Sequence, residues 1–83
     1  MTYIVEQLAP GSYDVLLDGV LVAALVRVVE RRGRSDQWQI DLLEEALPSD
    51  RPPPFIAQTH TFHSRLAALE WLGIRMPNPE HAE

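Results

Sequence analysis

Few side chains able to do chemistry occur in this 83-residue chain, and their spacing favours surface roles over catalysis. The histidines are His60, His63 and His81. Only the first two are close: a strand would send them to opposite faces, and a helix would hold them as two ligands lacking the other two that a tetrahedral site needs. No metal site is expected. Cysteine is absent, which excludes disulfides, thiolate zinc sites and a cysteine nucleophile. Lysine is absent as well, which removes Schiff-base and Ser-Lys chemistry. Ser12, Ser35, Ser49 and Ser64 each stand in a turn or cap context, with no Gly-x-Ser-x-Gly elbow around them. The four glycines are isolated, so no phosphate-cradling loop is present. These residues predict a protein that is not an enzyme and holds no cofactor.

Charge is more informative. The net charge is −5, but residues 27–34 hold four arginines against one carboxylate, a local +3 set in a body whose other residues sum to −8. Asp14, Asp18, Asp41, Glu44 and Glu45 form the candidate acidic face, suited to a partner protein with a basic surface. Arg27, Arg31, Arg32 and Arg34, crowding the tip of a hairpin with Trp38 at its base, form an alternative patch for phosphate or an acidic protein. Strong DNA binders neutralise about six to ten phosphates. Four arginines on an acidic body fall short of that, so direct nucleic-acid binding is the lesser expectation.

The elements that position these groups are legible in outline. Residues 3–8 and 13–17 read as strands around a Pro10-Gly11 turn, and Asp18-Gly19 is the dipeptide of a two-residue type I′ hairpin turn. Residues 20–29 satisfy two templates. Leu21, Ala24, Leu25 and Val28 fit a helical period, whereas five valines and the preceding turn favour a strand. Strand is the preferred reading, with helix kept as the alternative. Residues 38–42 alternate as a strand, residues 44–54 are a proline-rich loop partly in polyproline II, and residues 55–62 read as a further strand. Ser64 then caps a helix that ends at Gly73.

The fold class predicted is α+β: an antiparallel sheet of four or five strands in meander order, with one C-terminal helix packed on a face. Residues 1–75 form a single domain and residues 76–83 a polar tail. The expected core is Tyr13, Val15, Leu17, Val22, Val26, Trp38, Ile40, Leu42, Phe62, Leu66, Leu69 and Leu72. Because residues 20–29 are apolar on both sides, one helix cannot cover them all; Trp71, the tail or a second chain in a homodimer should. No apolar run reaches the ~20 residues needed to span a bilayer, and the first residues lack a signal-peptide pattern, so a cytoplasmic protein without membrane contact is expected.

Three antiparallel strands that lead through Phe62-His63-Ser64 into Ala67-Ala68-Leu69-Glu70-Trp71-Leu72 resemble the AP2-like, arm-binding domains of phage-type integrases. That resemblance spans roughly residues 13–73 and implies a sheet laid into the DNA major groove. The strands depart from the family's basic pattern, carrying Asp14, Gln39 and Asp41, so only Arg27, Arg31, Arg32 and Arg34 answer to its DNA-binding residues. In size and charge alone, the chain is similar to phage anti-CRISPR and other anti-defence proteins. The function expected is a small protein-binding module, an inhibitor of a nucleic-acid-binding or defence complex. Two alternatives stand beside it: a nucleic-acid-binding accessory protein using the arginine hairpin, and a homo-oligomeric structural subunit.

Overall fold

A computed structural model describes residues 2–28 and 37–74 of the chain. Strands β1 (Tyr3–Ala9), β2 (Ser12–Leu17), β3 (Val20–Arg27), β4 (Trp38–Leu42) and β5 (Thr59–Phe62) are followed by helix α1 (Arg65–Trp71). They form one antiparallel sheet in the order β1-β2-β3-β4-β5, with α1 packed over β4 and β5. This is the α+β meander with one C-terminal helix that the sequence predicts. Residues 75–83, including the predicted tail, lie outside the described residues.

Residues 20–27 form a strand, which settles the helix alternative. The deciding feature is the turn before it: Asp18 and Gly19 have φ of 51° and 84°, the left-handed pair a type I′ turn demands. Asp18 also ties the turn to the chain start, since its carboxylate Oδ1 accepts from Thr2 N at 2.8 Å and its own N–H donates to Thr2 O at 2.8 Å.

Two irregularities set which residues face inward. From the turn, Leu17 pairs with Val20 and Leu16 with Leu21, but Val15 pairs with Ala23, so Val22 is an extra residue in β3. Such a bulge reverses the alternation beyond it. Ala23 and Leu25 are therefore buried, while the expected core residue Val26 lies on the other face. A second register shift separates Gln7 from Ala9 in β1.

Leu25, Ile40 and Val15 are the largest fully buried side chains, with Tyr3, Tyr13, Ala23, Leu42, Phe55, Ala68, Leu69 and Leu72 around them. Leu66 is a second correction: it is 40% exposed, because the buried stripe of α1 runs along Ala68, Leu69 and Leu72 and leaves Leu66 turned aside. Trp71 does not cover the other side of β3. It packs against Phe55, His60 and Phe62, at ring-centroid distances of 5.0, 4.5 and 5.2 Å, on the helix side.

The expected strand over residues 55–62 shrinks to four residues. Phe55 leaves the sheet to plug the core, and the N–H groups of Ile56 and Ala57 donate to His60 Nε2 at 3.3 and 3.2 Å instead of to a neighbouring strand. The loop before it contains one 3₁₀ turn (Pro48–Asp50), flanked by Leu47 and Arg51 in extended conformations. At the helix, Ser64 Oγ accepts from Ala67 N at 3.0 Å. Gly73, with φ of 81°, closes the C-terminus in a Schellman motif: Ile74 N–H donates to Leu69 O and Gly73 N–H to Glu70 O, both at 2.9 Å.

Two measurements check this arrangement. Leu25→Ala should lower the unfolding free energy by about 3 kcal/mol and Val26→Ala by under about 1 kcal/mol in urea titrations; the reverse order would contradict the bulged register. The Tyr3 hydroxyl donates to Pro53 O at 2.6 Å, and burial raises its pKa above the ordinary 10.0. Because the folded phenol keeps its proton to higher pH than the unfolded one, its contribution is complete below pH 10.0 and lost as pH rises through the folded value. Tyr3→Phe should flatten that alkaline loss while costing stability at neutral pH.

Candidate functional site

Helix α1 and the Phe55 loop cover one face of the sheet, and no described element covers the other. Alternation from the buried Val15, Leu25 and Ile40 places Asp14, Ala24, Val26, Gln39 and Asp41 on this open face. The register then brings together residues that are remote in sequence. Glu6 pairs with Asp14, Asp14 with Ala24, Ala24 with Asp41, and Asp41 with Thr59, so a single row crosses all five strands. At strand spacings of about 4.8 Å it holds three carboxylates, two adjacent and the third two strands further on, with only an alanine methyl between.

Asp41 is fixed within this row: Thr59 Oγ1 donates to its Oδ1 at 2.6 Å and Gln39 Nε2 to its Oδ2 at 2.8 Å. Glu6 and Asp14 make no hydrogen bond or ion pair among the described residues. Like charges directly opposite one another on adjacent strands oppose folding. The row is thus an electrostatic cost within the fold itself, and a cation from outside would relieve it. No arginine lies on the open face among the described residues.

A second row on the same face is apolar. Ile4 pairs with Leu16 and Leu16 with Leu21, and Ile4 and Leu21 are nearly half exposed. Beyond it stand the other predicted acidic residues. Asp18 occupies the β2–β3 turn, its carboxylate engaged by Thr2, while Glu44 and Glu45 follow β4 on an exposed loop. The structure therefore brings Asp14 and Asp41 into one row and sets Asp18, Glu44 and Glu45 at the end of the sheet. Glu6, absent from the sequence-derived set, joins the first group; only the register of β1 on β2 could have revealed it.

The alternative patch divides differently. Arg31, Arg32 and Arg34 lie outside the described residues. Arg27 pairs with Trp38 across β3 and β4, in the inward phase of Leu25, and so stands on the helix side. Trp38 is no exposed aromatic: it is half-buried and packs on Tyr13 with ring centroids 6.0 Å apart. Arg65 lies over the same Tyr13 ring, its guanidinium carbon 5.5 Å from the centroid and its Nη1 donating to the hydroxyl.

Among the described residues, no group of three or more His, Asp or Glu side chains is placed to hold a metal, and no helix is long and apolar enough to cross a membrane. The chain matches no family model, and no curated protein or solved structure is significantly similar to it.

Removing one charge from the row should stabilise the protein. Asp14→Asn is expected to raise the unfolding free energy by roughly 0.2–1 kcal/mol at low ionic strength, with the gain shrinking as salt is added. A loss of stability would mean that the Asp14 carboxylate has a structural partner.

Proposed function

We propose that the chain is a non-enzymatic protein-binding module that presents the open face of its sheet to a basic, nucleic-acid-binding surface and thereby blocks it. The observation that carries this reading is the row Glu6–Asp14–Asp41: three carboxylates held on a rigid sheet, with no cation beside them on that face among the described residues. Surfaces that grip phosphates are lined with arginine and lysine, and an acidic row on a sheet, with Asp41 already held by Thr59 and Gln39, complements them. Electrostatic attraction would speed and orient encounter, while the neighbouring Ile4–Leu16–Leu21 row would supply apolar burial.

The nucleic-acid alternative meets an obstacle in the same row. A sheet laid on DNA would set these carboxylates against phosphates, so binding would have to rely on the 27–34 segment, most of which lies outside the described residues. An inhibitor of the anti-CRISPR type uses the opposite sign, which the open face has.

Affinity capture with the wild type and with a Glu6→Gln/Asp14→Asn/Asp41→Asn variant tests the proposal. The wild type should retain a basic protein that elutes as salt is raised, and the variant should lose it while remaining folded. Equal retention by both proteins, or retention insensitive to salt, would overturn the mechanism, and retardation of duplex DNA in a low-salt gel shift would favour the alternative.

A further inference from the structure

A cleft of about 480 Å³ opens where β3 begins and β4 ends. Among the described residues it is lined by Val20, Leu21, Val22, Leu42, Leu43, Ala46 and Pro52, with Glu44 the one charged side chain. The volume falls in the range of pockets that hold a ligand or a large side chain. Val20 and Leu43 are 63% and 52% exposed, far more than such residues need be in a chain with a formed core.

The walls are built rather than incidental. The bulge at Val22 turns the start of β3, and Leu43 N–H donates to Val22 O at 3.1 Å, clamping the chain after β4 onto the bulge. Gln58 fixes the remainder: its Nε2 donates to Leu42 O at 3.3 Å and to Glu44 O at 2.6 Å, and its Oε1 accepts from Ala46 N at 3.4 Å. A cleft held in this way exists before any occupant arrives, so little ordering is needed on binding.

Two features identify the occupant. Leu21 belongs both to the cleft and to the apolar row of the open face, so the two apolar surfaces meet at this residue. Glu44 stands at the apolar walls with no cation among the described lining residues. We infer that the cleft is an anchor site for a bulky apolar side chain of the partner, flanked in the partner's sequence by an arginine or lysine that meets Glu44. This inference rests on the open-face reading for the source of the side chain. It gives the interface what a flat acidic row lacks: a desolvated pocket of the kind in which binding energy concentrates.

The test needs no partner. N-acetyl-Trp-Arg-amide, N-acetyl-Trp-Glu-amide and N-acetyl-Gly-Arg-amide are titrated into the full chain, and the methyl signals of Val20, Leu21, Val22 and Leu43 are followed by NMR. The Trp-Arg peptide should shift these methyls, the Trp-Glu peptide should bind about threefold more weakly, and the Gly-Arg peptide should leave them in place. Glu44→Gln should erase the difference between the two tryptophan peptides. Ala46→Phe, which fills the cleft, should abolish the shifts; Leu47→Ala, outside it, should not. No methyl shift with Trp-Arg, or equal binding of Trp-Arg and Trp-Glu, overturns the assignment. The same methyls shifting with protein concentration alone would make the occupant a second copy and would also overturn it. The outcomes separate the two proposals: peptide binding that survives in Glu6→Gln/Asp14→Asn/Asp41→Asn supports the cleft even if partner capture fails, and partner capture without peptide binding removes the cleft alone.

Discussion

One-sided burial is the constraint on which the rest of this molecule depends. A five-stranded sheet has two faces, and the described residues supply one α-helix, seven residues long, to cover them. That helix packs over β4 and β5, with Arg65 alone reaching out to Tyr13 of β2, so the core is completed by what the loops can add. Phe55 drops out of the strand it precedes, and Tyr3 reaches from β1 to a carbonyl fifty residues away. With every inward resource spent on the helix side, the opposite face is left with small, half-buried or charged residues. Its availability is a product of economy in a short chain.

The two register shifts explain why the elements were legible while the faces of β1 and β3 were not. Asp18-Gly19, Ser64 and Gly73 signal their turn and caps through local stereochemistry, and the structure uses each in that role. Face assignment depends on unbroken alternation. An unbulged hairpin at Asp18-Gly19 would pair Val15 with Val22 and carry Val22 and Val26 inward; the extra residue buries Ala23 and Leu25 instead, leaving Val22 partly buried against the core and Val26 on the other face. Likewise, continuing the Ala9–Ser12 pairing without a shift would set Glu6 against Val15, in the core, whereas the irregularity after Gln7 sets it against Asp14. A bulge has no composition of its own in either place, so neither the buried set of β3 nor the third carboxylate of the row could be read from residue types. The long strand expected at residues 55–62 failed for a different reason. Its first half has strand propensity, but a histidine ring four residues on offers those N–H groups a local acceptor.

In the proposed reading, acidic and apolar rows on one face divide the work of recognition between two kinds of force. Charge acts at range and sets approach, whereas the apolar row and the cleft act only on contact. Their separation by a single strand residue, Asp14 beside Leu16 and Asp41 beside Leu43, means that a partner segment lying along the face would meet both at once.

Meander order has a consequence for how such a face can be formed and varied. Every strand pairs only with its neighbours in sequence, so each pairing adds to a sheet that already exists, the sixteen-residue connection from β4 to β5 being the longest among the strands. Chains dominated by local pairing pay little loop-closure entropy and fold fast for their size. Contacts that span half the chain, such as Tyr3 with Pro53 and Tyr13 with Arg65, all lie on the helix side. The open face therefore sits outside the slow, long-range part of assembly, and exchanging its residues should have little effect on the rate at which the protein reaches its native state.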